Sequence, residues 1–328
     1  GLLCTSLPEE YGGCGGDFGH CAVLIEEMSA ANISGPGFYL HSDIIAPYIA
    51  RLGTEEQKRR WLPKCASGEC ILAIAMSEPG AGSDLKAIRT TAVKDGEEYV
   101  INGSKTFISN GLNCDLIVVV AKTDPAAGAK GVSLFLVEAD RAGFKKGRKL
   151  AKIGQNAADT AELFFDEVRV PAANLLGELN KGFIHLMEEL AQERFIIAIG
   201  AASKMEAMLA ETIRYTRERK VFGQSVFDFQ NTRFKLADLK TRAAAMRIMV
   251  DYYLAEHLRR KLTLEEAAIA KLFTTETLCA GLDDMLQLHG GYGYMMEYPI
   301  ARAFVDARVS RIYGGTSEVM RELISRGL

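Results

Sequence analysis

The 328-residue chain contains no run approaching the ~20 uninterrupted apolar residues that a membrane-spanning helix needs. It has no GxGxxG after a strand-like run and no GxxxxGK[ST], so a nucleotide, if bound, is bound by some means other than a Rossmann turn or a P-loop. Its seven cysteines are an odd number with no CxxC pair and no matching histidine spacing. That argues against a structural metal site and against a disulfide scaffold, and suits a reducing compartment, either bacterial cytoplasm or mitochondrial matrix. Charge of one sign is also lacking: the formal net charge is -3, which gives no general electrostatic reason to bind nucleic acid or anionic membrane. There is no sustained heptad, and a hydrophobic content of 48% excludes disorder. The opening Gly1-Leu2-Leu3-Cys4-Thr5 has neither an initiating Met nor the basic start of a signal peptide, so a leading segment is expected to be missing from this numbering.

What is present divides into three textures. Residues 1–70 read as short helices joined by turns, with an amphipathic piece at 22–28 and a capping start at Thr54-Glu55-Glu56-Gln57. Residues 71–170 carry β-type runs at 71–76, 90–94, 98–101, 116–121, 132–137 and 162–168, with Asp95-Gly96 and Asn102-Gly103 as tight-turn signals. Residues 171–328 are helical, with long apolar-periodic stretches at 181–219, 226–260 and 263–287 and shorter ones at 299–310 and 317–326. Helix, then sheet, then helix predicts an α+β protein with segregated domains at 1–70, 71–170 and 171–328.

Several segments could carry chemistry. Ser77-Glu78-Pro79-Gly80-Ala81-Gly82-Ser83-Asp84 follows a strand, and its glycines and hydroxyls suit either an anion such as a pyrophosphate or an ordinary surface turn. Phe107-Ile108-Ser109-Asn110-Gly111 offers an aromatic and a hydroxyl to a flat ring, or is a strand end with a core Phe. Glu193 has Leu190, Ile196 and Ile197 at helical spacing, which places it on or beside an apolar stripe. A carboxylate there is a stronger base once water is excluded, although a boundary salt bridge gives the same pattern. Arg194 lies about 100° further round the helix, so the two need not pair. Gln287-Leu288-His289-Gly290-Gly291-Tyr292-Gly293-Tyr294 interrupts the helical pattern with three glycines. Ile312-Tyr313-Gly314-Gly315-Thr316-Ser317-Glu318 precedes a final helix whose N-cap is Thr316 or Ser317. The basic run Lys145-Lys146-Gly147-Arg148-Lys149 has no interleaved aromatics and reads as a solvated loop. The sequons at Asn32 and Asn102 read as chance matches.

Taken in order, these pieces resemble the acyl-CoA dehydrogenase family of flavoproteins. The resemblance is carried by Pro8-Glu9-Glu10-Tyr11-Gly12-Gly13, Ala75-Met76-Ser77-Glu78-Pro79-Gly80-Ala81-Gly82-Ser83-Asp84, Asn102-Gly103-Ser104-Lys105, Arg217-Glu218-Arg219-Lys220-Val221-Phe222-Gly223, Gln287 through Gly293, and Arg311-Ile312-Tyr313-Gly314-Gly315-Thr316. It implies a helical domain lacking its leading helices, a β-barrel or sandwich domain, and a C-terminal four-helix bundle, with FAD between the sheet and the last domain. It implies that Ser77 and Ser109 hydrogen-bond the flavin ring, Phe107 packs on it, and Gly82 and Ser83 approach the pyrophosphate. The family usually has Trp at position 107 and Thr at 109. Arg219, Phe222, Gln230, Gln287 and Gly291 are expected to hold part of a neighbouring subunit's FAD, Thr316 and Glu318 the adenosine portion. Ser83, Arg194 and Tyr313 are expected to contact substrate. A homotetramer built as a dimer of dimers, and an electron-transfer flavoprotein as acceptor, are implied too.

One departure bears on mechanism. Most members carry the catalytic Glu between Tyr and Gly in the last motif, where this chain has Gly314. The long-chain and isovaleryl branches instead place it on the long helix, at the position of Glu193. Tyr313 through Thr316 and Met296-Glu297-Tyr298-Pro299 resemble the long-chain branch more. The implied reaction is removal of the acyl-CoA α-proton by Glu193 as the β-hydride passes to flavin N5, with the Gly314 N–H and a ribityl hydroxyl stabilising the thioester oxygen, giving a trans-2-enoyl-CoA. Competing expectations are an isovaleryl-type dehydrogenase, an acyl-CoA oxidase or flavin monooxygenase on the same fold, and a flavin-binding relative that has lost catalysis. An oxidase is expected to carry an extra C-terminal domain, which tells against that reading.

Overall fold

The computed structural model describes residues 1–328. The chain separates into two compact units: Gly1–Cys21, Pro36–Lys152 and Asn156–Leu190 form the first, and Ala22–Gly35, Ile153–Gln155 and Ala191–Leu328 the second. Three helices precede the sheet in sequence, α1 (Phe18–Ala30), α2 (Ala46–Leu52) and α3 (Glu55–Ser67). The start of α3 is the expected capping box, in which Gln57 N donates to Thr54 Oγ1 and Thr54 N to Gln57 Oε1. Buried His41 then ties the end of α3 to the sheet: its Nδ1 accepts from Leu72 N at 3.1 Å while Nε2 lies 2.9 Å from Cys65 O.

The first unit is built on one eight-stranded sheet: β1 (Leu72–Ala75), β2 (Thr91–Asp95), β3 (Glu98–Ser109), β4 (Leu116–Lys122), β5 (Val132–Glu138), β6 (Phe144–Lys149), β7 (Thr160–Pro171) and β8 (Leu175–Leu176). The strand order is β6-β7-β3-β2-β4-β5-β8, and β1 runs parallel to β4. Strands β4 and β5 are buried almost throughout, as continuous Val, Ile, Leu and Phe runs require.

Two sequence expectations are corrected here. Asn102-Gly103 is not a turn; it lies inside β3 and forms a bulge against β7, between Ile101 and Gly103. A Cβ at Gly103 would sit 2.4 Å from Thr90 Oγ1, so the strand has room only for glycine there. The basic run is not a loop either; it is β6, at one end of the sheet and antiparallel to β7. Phe144 anchors it on Phe165, with ring centroids 5.2 Å apart, and Lys146 Nζ donates to Leu112 O and Cys114 O, while Lys145, Arg148 and Lys149 are exposed, a charge pattern that protects an edge from further pairing.

The second unit is helical: α4 (Gly182–Glu218), which begins in the first unit, α5 (Gln230–Leu258), α6 (Leu264–His289), α7 (Pro299–Ala307) and α8 (Ser317–Ser325). Here α5, α7 and α8 pack on α6, and Met205 of α4 and Leu239 of α5 converge on Gly281, where a Cβ would lie 2.8 Å from Met205 Cε. The α+β class is as the sequence pattern predicts. No helix is long and apolar enough to cross a membrane.

Candidate active site

In the first unit the Ser77 loop is held by a buried ion pair. Lys105 Nζ donates to Met76 O at 3.0 Å and to Glu78 Oε1 at 2.9 Å, and Glu78 also accepts from Arg89 N and Thr90 N. The Ser77 carbonyl accepts from Thr106 N, so the backbone on both sides of Ser77 is fixed while its hydroxyl stays partly accessible. Burial works to raise the Glu78 carboxyl, yet Lys105 outweighs it and holds the group below its ordinary range. Burial pushes the Lys105 ammonium down to about 8, against the pull of Glu78.

The bulge between Lys105 and Ile108 turns Phe107 outward at φ +59, with its side chain 71% exposed. A bulky residue in the left-handed region is an outlier that the rest of the strand must enforce. Ser109, two residues on, is exposed as well, and a Cβ at Gly80 or Gly82 would meet nothing within 4 Å. Two hydroxyls, an aromatic face and open glycine backbone in one loop cluster fit a flat ring bearing a phosphate chain. No apolar core explains Phe107 in this position.

In the second unit α4 presents Glu193, which is 7% exposed, and Arg194 beside it. Of the stripe inferred around it, Leu190 and Ile196 are buried with Glu193 and Ile197 is partly covered, so the carboxylate is withdrawn from solvent. Arg194 Nε donates to Gly314 O at 3.4 Å, which brings the two sequence-selected segments together. Burial lowers the Arg194 guanidinium, and the Glu193 charge partly restores it. Gly314 has φ +62, and a Cβ there would lie 2.6 Å from Ile197 Cδ1. Ile197, one turn after Glu193 on α4, thus occupies the space a side chain at 314 would need. Ile312 N and Tyr313 N both donate to Val309 O, and the backbone pairing resumes at Met320 N, leaving the Gly314 N–H between them.

A residue the sequence reading passed over completes this cluster. Lys271 of α6 is 1% exposed and donates to Gly315 O. Burial and the like charge of Arg194 push its ammonium down to about 8. The available signal was spacing: Ala267, Lys271, Thr274, Thr275 and Leu278 share the buried face of α6.

Elsewhere in the second unit a cleft of about 500 Å3 gathers Arg219, Gln287 and Gly291 with Tyr215 and Tyr292, the Arg219 guanidinium lying 5.5 Å from the Tyr292 ring centre. Phe222 (94% exposed) and Gln230 are near in sequence but do not line the cleft. Thr316 caps α8 as expected, accepting from Val319 N at 3.3 Å, and Glu318 is solvent-exposed in the first turn.

Comparisons with known proteins come from family models, curated proteins and solved structures. The models for the acyl-CoA dehydrogenase N-terminal, middle and C-terminal domains match residues 1–69, 73–168 and 180–328. The mitochondrial long-chain specific acyl-CoA dehydrogenase of Sus scrofa is 53% identical over 328 residues, covering 99% of this chain and 76% of that protein. The mitochondrial isovaleryl-CoA dehydrogenase of Pongo abelii is 40% identical over 330 residues, covering 99% and 78%. A crystal structure of an acyl-CoA dehydrogenase from Geobacillus kaustophilus superposes with TM-score 0.97 at 51% identity, covering 99% of this chain and 86% of that one.

Proposed function

The chain belongs to the acyl-CoA dehydrogenase family, whose members are flavoproteins, and from that premise we propose that it oxidises a long-chain acyl-CoA to the trans-2-enoyl-CoA with Glu193 as the base. The protein is an oxidoreductase acting on a CH–CH bond. The observation that carries the assignment of the base is a buried Glu193 on α4 beside a turn that has glycine, at φ +62 and against Ile197, at position 314.

In the first unit, Ser77, Gly82, Ser83, Phe107 and Ser109 would hold FAD. In the second, Thr316 and Glu318 would contact an adenosine group, while Arg219, Phe222, Gln230, Gln287 and Gly291 would reach toward the FAD of a neighbouring subunit in a homotetramer. When bound, the flavin supplies the hydride acceptor. The chain's own part is acid–base and electrostatic. Glu193 takes the α-proton, and its burial keeps water from competing for the carboxylate. The Gly314 N–H donates to the thioester oxygen as it gains negative charge, a donor aimed where charge develops rather than where it starts. Within the second unit Arg194 and Tyr313 would orient the thioester; Ser83 of the first unit is a separate candidate substrate contact. An electron-transfer flavoprotein would reoxidise the enzyme, in a mitochondrial matrix or bacterial cytoplasm where seven free thiols survive.

The test is anaerobic addition of acyl-CoAs of graded length to the FAD-loaded protein, followed by visible absorption. Prompt bleaching with long straight chains is expected, and Glu193→Gln should retain FAD yet lose bleaching by at least about a thousandfold. Selective bleaching by a branched five-carbon thioester would move the substrate to the isovaleryl class. Wild-type bleaching by the Gln variant would sink the base assignment.

A further inference from the structure

Two cations from two different helices converge on consecutive carbonyls of one turn. Arg194 of α4 donates to Gly314 O, and Lys271 of α6 to Gly315 O. Both side chains are buried, and the Lys271 Cε lies 3.8 Å from where a Cβ at Gly314 would be. Gly314 and Gly315 both have positive φ, +62 and +95, so the turn occupies a region that only glycine enters freely and needs outside support to hold one shape.

We propose that Lys271 is a positioning residue for this reaction, its ammonium fixing the Gly314–Gly315 turn so that the Gly314 N–H stays aimed at the thioester oxygen. The inference rests on the acyl-CoA dehydrogenation reading above. Three observations carry it. First, the Gly314 N–H lies in the Tyr313–Gly314 peptide plane, and anchoring the two carbonyls that follow it to α4 and α6, with Tyr313 N held by Val309 O on the other side, restricts the φ and ψ rotations of the two glycines that would swing that plane. Second, that N–H takes no part in the backbone pairing of its segment and is available to a ligand. Third, a buried ammonium beside a buried guanidinium is an expensive way to satisfy one carbonyl oxygen, for which a hydroxyl, an amide or a water would suffice. Glu193 offsets part of that cost for Arg194, and the negative charge that develops on the thioester oxygen during proton removal offsets more. Lys271 touches no reacting atom; it acts through the turn.

The experiment uses FAD-loaded protein and a 3-arylacryloyl-CoA, a conjugated thioester whose absorption moves to longer wavelength when its carbonyl oxygen is hydrogen-bonded. Wild-type protein should show the shift. Lys271→Met, which keeps the length and loses the donor, should bind the probe within about threefold of wild type, lose most of the shift, and reduce flavin about a hundredfold more slowly. Lys271→Arg, which keeps a charged donor, should retain most of the shift. If the Met variant fails to load FAD, the Arg variant decides: FAD and probe bound without a shift overturns the proposal. A Met variant with full shift and wild-type reduction overturns it too, as does one whose shift is lost only in step with probe affinity, which would mark a structural role. Failure of the dehydrogenation reading shows separately, as no acyl-CoA bleaching the wild-type flavin.

Discussion

Glu189 shows at the scale of one residue how burial outweighs an ion pair. It is buried, and its only cationic partner is Arg51, whose Nη1 stands 2.9 Å away but whose side chain is half in solvent. Burial pushes the Glu189 carboxyl up to about 7, and Arg51 offsets only part of that. A carboxyl raised above its ordinary value of 4.5 contributes stability that is full below pH 4.5 and is lost as pH rises through about 7. Glu189→Gln removes the ionisation. At pH 8 the variant should therefore melt a few degrees above wild type, with the gap closing below pH 4.5 in the same calorimetric series. A gap that widens in acid would mean that the Arg51 pair dominates. At this same scale Glu193 was legible in the sequence, because three apolar neighbours at helical spacing marked its face. Lys271 was not, because a lone lysine within an alanine-rich helix gives no sign of which carbonyl it will meet.

At the scale of elements, the Ser77 loop depends on β3 through the Lys105 side chain and the Thr106 backbone N–H. Lys105 bridges Met76 O and Glu78 across the β1 end, two residues after Gly103, where β3 passes close to Thr90. Replacing Lys105 with Met leaves the Glu78 carboxylate buried without its cation, a loss of about 3–5 kcal/mol. Lower thermal stability and a reduced FAD-to-protein ratio are expected together; an unchanged FAD ratio would separate the pair from the cofactor loop. The helices and six of the strands were legible because periodicity is written locally. The bulge and β6 were not. Asn-Gly signals a turn unless a neighbouring strand holds the pair extended, and a run of lysines reads as loop until Phe144 finds Phe165. Both outcomes depend on partners more than ten residues distant in the chain.

For the molecule as a whole, thiol accessibility gives a direct check on the packing. Cys14 is the exposed thiol, Cys279 is partly covered, and Cys4, Cys21, Cys65, Cys70 and Cys114 are buried. Burial also raises the Cys4 and Cys21 thiols to about 12, which removes the reactive thiolate. Titration of the native protein with a disulfide reagent should show one fast thiol, lost in Cys14→Ser, and all seven on denaturation; several fast thiols in native buffer would contradict the packed first unit. The amino-acid sequence by itself determined the α+β class, the helix–sheet–helix order, the motifs of the family and the position of Glu193, since each of these is carried by composition, local spacing or contiguous residues. Only the tertiary structure decided that Ile197 lies against Gly314, that Lys105 braces Met76 and Glu78 on either side of Ser77 from another strand, and that Arg194 and Lys271 share one turn. Those contacts join residues separated by 27 to 120 positions, and no local pattern encodes which buried charge will meet which carbonyl.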